Sequence, residues 1–128
     1  MFLKKNPKKD FIFHYDAEHD DLIIFVKGEK SKGSIELGNV IVDFSKNKRI
    51  VGVQIIGVSE FLEEWLPNKT PREFLKNLAY AYFEIVHPKS NFVILKIALR
   101  SKIKNKVMPI FMPLFFPEIT KKSPALAY

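Results

Sequence analysis

Phe92–Ser101 alternates without a break: Val93, Leu95, Ile97 and Leu99 fall on one parity, and Ile94, Lys96, Ala98 and Arg100 on the other. A repeat of two is the side-chain period of a β-strand, so the odd residues share one face and the even residues the other. On a helix the same residues would circle the axis and no single face could bury them. The same period recurs along most of the chain. Residues 11–15 and 22–26 are β-rich runs on either side of the polar stretch 16–21, which reads as an antiparallel hairpin. A loop rich in Lys, Gly and Ser covers residues 27–33. Strands then follow at 34–37, 40–44 and 49–56, separated by Gly38-Asn39 and by Ser45-Lys46-Asn47-Lys48. In the middle one, Val40, Val42 and Phe44 share a face while Asp43 turns to the other. In chain order these strands predict a five-strand meander.

The period changes after Gly57. Ser59 is positioned to cap a short helix carrying Phe61, Leu62, Trp65 and Leu66 before Pro67 stops it. Thr70-Pro71-Arg72-Glu73 has the form of a capping box with proline at the first helical position, leading into Phe74, Leu75 and Leu78. These helices read as a lid on one sheet face. Period two returns at 79–86, breaks at 87–91, where His87 precedes Pro88, and resumes in the strand that opened this section. The final strand, 107–115, holds Pro109 and Pro113 on the same parity, so both missing N–H groups fall on one in-plane side and the strand belongs at a sheet edge. It is apolar on both faces, with Met108, Ile110, Met112 and Leu114 on one and Phe111 and Phe115 on the other. One face packs inside the domain. The other is covered either by the tail 117–128 or by a partner, which makes Met108, Ile110, Phe111, Met112 and Phe115 candidate interface residues.

The fold class expected is α+β: antiparallel β meanders of about eight strands, with two short helices in the middle packed on one face. One domain spans 1–128, comprising an N-terminal meander (11–58), a helical connector (59–78), a C-terminal meander (79–115) and a tail (116–128). At 128 residues the chain is long enough for one core. With no cysteine, thiolate chemistry and a disulfide-stapled scaffold are excluded, and the expected location is the cytoplasm. The N-terminal lysines are not followed by an apolar signal-peptide core, and the apolar run 107–116 is too short to span a bilayer as a helix. No membrane association and no cofactor are expected.

The net charge of +7 invites a nucleic-acid reading. Only Arg49, Arg72 and Arg100 offer the bidentate guanidinium fork, however, and the other cations are lysines spread over turns. The densest constellation of potential ligands is the stretch from Phe13 to Leu22, FHYDAEHDDL. A metal reading would use His14, Asp16, His19 and Asp20. An acid/base reading would need Asp16, Glu18, Asp20 or Asp21 in a desolvating pocket, and a solvated turn supplies none. The turn reading is sufficient by itself: Asp16 accepts backbone N–H groups about two residues on, and the other acids keep the loop wet.

Two signatures carry a family resemblance. One is Tyr15-Asp16-Ala17-Glu18-His19-Asp20 ahead of an apolar strand. The other is Val40-Ile41-Val42-Asp43-Phe44, a polar turn, then Ile50-Val51-Gly52-Val53-Gln54-Ile55. Over residues 11–62 the chain resembles the small bacterial and archaeal proteins grouped as domain of unknown function twenty-two eighty-three. The resemblance implies a small antiparallel sheet followed by a helix, and it brings no activity, cofactor or catalytic residue. Gln54 stands where that family usually has glutamate, and His19 where alanine is common. The preferred function is a non-enzymatic interaction or assembly module, homodimeric through the apolar C-terminal region. The alternatives are a nucleic-acid binder using lysines, and a metal-dependent hydrolase at the first hairpin.

Overall fold

In the computed structural model the described residues are 10–64, 71–89, 92–102 and 107–115. They form eight antiparallel strands in two sheets and two short helices, the α+β class expected. The larger sheet contains β1 (Phe11–Asp16), β2 (Asp21–Val26), β3 (Gly33–Leu37), β4 (Val40–Phe44) and β5 (Ile50–Ile56). Its spatial order is β1-β2-β5-β4-β3 rather than the chain order. The reason lies in burial. In β5, Ile50, Val51, Gly52 and Val53 are all buried, so this strand belongs in the centre, whereas no residue of β3 is buried and it takes an edge. The polar connection between β2 and β3 is long enough for β3 to swing to the far side.

The smaller sheet has the order β6-β7-β8, from β6 (Leu78–Lys89), β7 (Phe92–Ser101) and β8 (Val107–Phe115). The alternation in β7 holds, with Val93, Leu95, Ile97 and Leu99 all fully buried. A bulge between Leu78 and Tyr80 shifts the parity of β6. It lets Leu78 join Ala81 and Phe83 in the core while Tyr80 and Tyr82 stay on the outer side. As the two prolines require, β8 is an edge strand, and it presents Ile110 and Met112 inward.

The inner faces of both sheets share one core cluster. At its margin the Phe11 ring meets the edge of Phe83 at 5.0 Å and lies 6.0 Å from Tyr82, joining β1 to β6. The helices close the cluster: α1 (Val58–Leu62) buries Val58 and Leu62, and α2 (Pro71–Lys76) buries Phe74 and Leu75. At the end of α2 the Asn77 carbonyl accepts the Lys102 N–H at 2.7 Å, tying the helix to the end of β7. Trp65, Leu66, Pro67 and Thr70 lie outside the described residues.

Ser59 is not the N-cap of α1. Gly57 holds that position in the left-handed region, at φ 68°, and no side chain of its own caps the helix. Ser59 sits two residues further in, and its partner comes from a distant turn. A left-handed backbone costs an L-residue about 1–2 kcal/mol, and nothing lies within 4 Å of a Cβ added at Gly57. Gly57→Ala is therefore expected to lower unfolding free energy by about 1 kcal/mol through backbone conformation alone. Gly33→Ala, in open space with ordinary φ, should be near neutral, and urea unfolding of the two variants measures the contrast.

Candidate functional site at the first hairpin

The β1–β2 ladder ends at the pair Asp16–Asp21, and residues 17–20 close the turn with the Asp20 N–H donating to the Asp16 carbonyl at 2.7 Å. Asp20 adopts φ 60°, a left-handed conformation that aspartate tolerates better than most side chains. Asp16 does what the turn reading expects. Its Oδ1 accepts the N–H groups of Glu18 at 3.0 Å and His19 at 3.3 Å. Its Oδ2 meets His19 Nδ1 at 2.8 Å. The histidine's hydrogen bonds hold the Asp16 carboxyl below its ordinary range, and the same bond and charge raise the His19 imidazole. The mutual attraction is thus present between the two titrations, lost in acid as Asp16 protonates and in base as His19 deprotonates. Both side chains are solvent-accessible, so this pair trims the turn and does not hold the fold.

The four candidate ligands do not converge as a set. Asp16 and His19 do, and Glu18 joins them, the three offering ligand atoms within 4.8 Å of one another. His14 is exposed two positions back, lining a shallow cleft of about 250 Å³ together with Tyr15, Leu75 and Lys76. Asp20 turns the other way. The converging trio could supply one nitrogen and two carboxylate oxygens to a divalent cation, but all three sit in a solvated turn with no enclosing wall.

Asp20 is where the geometry is demanding. The residue is only 7% exposed, yet it is charged. Its Oδ1 accepts the Tyr15 hydroxyl at 2.7 Å, and its Oδ2 accepts the Ser59 hydroxyl at 2.7 Å and the Ser59 N–H at 3.2 Å. Its backbone carbonyl accepts the Val58 N–H at 3.0 Å. The hairpin turn therefore satisfies donors at the start of α1 that a helix cannot satisfy internally. Arg72 of α2 approaches as well, with Nη1 donating to the Ala17 carbonyl at 3.1 Å and Nη2 3.8 Å from the Asp20 carboxylate. Burial alone would raise the Asp20 carboxyl, but the bonds from Tyr15 and Ser59 and the Arg72 charge outweigh it and lower it below the ordinary value. Burial, with the bond to Asp20 and its negative charge, pushes the Tyr15 phenol up to about 12.

Elsewhere on the larger sheet, the β4–β5 register sets Asp43 opposite Gly52, bringing two residues of the family signatures together. A Cβ at Gly52 would lie 3.0 Å from the Asp43 carboxylate, so the glycine makes room for that side chain. Across β3 the neighbour of Asp43 is Ser34. Desolvation raises the Asp43 carboxyl. Gln54 lies half-buried between Ile23 and Ile41 on the same outer face. Of the interface candidates, Ile110 and Met112 are in the core and Phe111 is 52% exposed. The side chains of Met108 and Phe115, and that of His87, lie outside the described residues.

Residues 12–59 match the family described as a protein of unknown function, DUF2283, a segment slightly shorter than the resemblance in the sequence. It runs from β1 to Ser59 and so contains both Asp20 and its helix partner. The chain is also similar to the uncharacterized protein MJ0789 of Methanocaldococcus jannaschii, at 34% identity over 64 residues covering 50% of this chain. It spans about half the length of that relative, 51%. No solved structure matches the chain.

Because the Asp20 carboxyl is depressed, its contribution is present above the ordinary carboxylate pKa and lost as pH falls through the folded-state value. Asp20→Asn keeps a residue tolerant of the left-handed backbone while removing the charge. It should lower stability by about 2 kcal/mol near neutral pH, the scale of charge-assisted bonds. The deficit should shrink toward zero as both proteins are taken to about pH 2, followed by urea unfolding across the range.

Proposed function

We propose that the protein is a non-enzymatic, cytoplasmic assembly module that self-associates through the outer face of the smaller sheet. The observation that carries this reading is the exposure of Phe111, at 52%, and Val86, at 49%, on one continuous face. The β6–β7–β8 register lines up Val86, Ile94 and Pro113 in one row and Glu84, Lys96 and Phe111 in the next. Lys96 lies 3.7 Å from Glu84, with its ammonium 5.9 Å from the Phe111 ring centre, so an aromatic anchor is framed by charges of both signs. A face that carries both signs is able to meet its own copy about a two-fold axis.

The edge of β8 that faces away from β7, unpaired among the described residues, is a poorer candidate for joining copies. Pro109 and Pro113 remove two N–H groups from the side facing away from β7, so adding a strand there would leave carbonyls without donors. Association through the face, anchored by Phe111, avoids that loss. This support concerns assembly; the converging Asp16, Glu18 and His19 give a hydrolase reading no sheltered pocket.

Sedimentation equilibrium or light scattering over a concentration series tests the proposal. The expected result is a dimer that Phe111→Lys converts to monomer, weakening association by at least about tenfold while leaving thermal unfolding of the monomer nearly unchanged, as befits an exposed residue. A wild-type chain that stays monomeric at high concentration would contradict it.

A further inference from the structure

The larger sheet is electrically polarised along its strands. At one end lie the first hairpin turn and the start of α1, with Asp16, Glu18, Asp20, Asp21 and Glu60 against Arg72 of α2. At the other end the 27–32 connection and the 45–49 turn lie side by side. They carry six cations, Lys27, Lys30, Lys32, Lys46, Lys48 and Arg49, against Glu29 and the nearby Asp10. The sequence showed these lysines as scattered over turns; the antiparallel topology gathers them at one end.

That end is built, not frayed. The Lys32 N–H donates to the Phe44 carbonyl at 2.7 Å and the Lys27 N–H to the Asp10 carbonyl at 2.8 Å, pinning both ends of the connection to neighbouring strands. The 45–49 turn closes through the Ser45 N–H to the Arg49 carbonyl at 2.9 Å, and Ser45 Oγ accepts the N–H groups of Asn47 and Arg49 at 3.2 and 3.3 Å. Lys48 holds a left-handed φ of 65° in this turn. Between the two loops lies a recess of about 360 Å³ whose walls carry Lys27 and Arg49 together with Asp10 and Glu29, so the excess of positive charge lies on the loops around it and not in the recess itself. On the flanking sheet face, two residues before Lys27, Phe25 stands opposite Ile12, 36% and 38% exposed, with Gly52 and then Asp43 on its other side.

We propose that this end binds single-stranded nucleic acid through its phosphate backbone, with a base stacked on Phe25. Lysine ammonium groups act as point charges suited to successive phosphates and read no sequence, while an exposed aromatic beside such a row is the platform unpaired bases use. The apolar pair lies on the flank of the charged end, not at its apex. A strand passing over the corner reaches both, whereas a flat anionic bilayer meeting the apex does not. The surface is separate from the Phe111 face, so binding and self-association succeed or fail independently.

Fluorescence anisotropy with a labelled single-stranded oligonucleotide and the full chain tests the proposal. Binding at about 50 mM salt should weaken by on the order of several hundredfold at about 200 mM if some six phosphates are neutralised. Lys30→Glu with Lys46→Glu should weaken binding at least tenfold and flatten the salt dependence. Lys76→Glu with Lys102→Glu changes net charge equally and should have a much smaller effect. Phe25→Ala should cost about fivefold or more for the single strand and little for a duplex of the same sequence. No binding at about 50 mM salt, equal losses in the two lysine variants, an unaffected Phe25→Ala, or capture by phosphatidylserine vesicles without capture of the oligonucleotide would each overturn it.

Discussion

A buried, ionised carboxylate in a four-residue turn joins the parts of this molecule that local structure alone would leave separate. Asp20 belongs to the β1–β2 hairpin, but its hydrogen bonds run to Tyr15 on β1 and to Ser59 in α1, thirty-nine positions on. A five-residue helix has little stability of its own, since nucleation is unfavourable and most of its N–H groups have no internal partner. The Asp20 side chain and carbonyl supply partners to two of those groups and fix where the chain leaves β5. From that point Val58 and Leu62 enter the core and α2 follows, with Arg72 reaching back to the same turn. The segment that matches the DUF2283 model ends at Ser59, immediately after this link is complete.

The network also explains why the acid-rich hairpin is not a ready-made ligand site. Its carboxylates divide by direction. Asp20 turns inward and spends its oxygens on Tyr15 and Ser59, while Asp16 turns outward and caps its own turn and His19. What remains for an outside ligand is a solvated trio to which Glu18 contributes and His14 does not.

Much of this architecture is legible in residue periodicity. The alternation in β7, the same-parity prolines of β8 and the Asp16 turn each rest on local geometry, and local geometry survives into the fold. What sequence could not give is the long-range part. The centre of the larger sheet goes to β5 because its two-sided burial outcompetes chain order, and Ser59 looked like a cap because its true partner is distant in sequence. The clustering of lysines has the same character, since loops far apart in sequence become neighbours only once strand order is known.

The account is tested most directly by a double-mutant cycle between Asp20 and Ser59, built from Asp20→Asn, Ser59→Ala and the pair, with unfolding free energies measured near neutral pH. If the carboxylate and hydroxyl hold hairpin and helix together, the two substitutions should couple by about 1 kcal/mol or more. Additivity within about 0.3 kcal/mol would contradict the claim that this bond joins them.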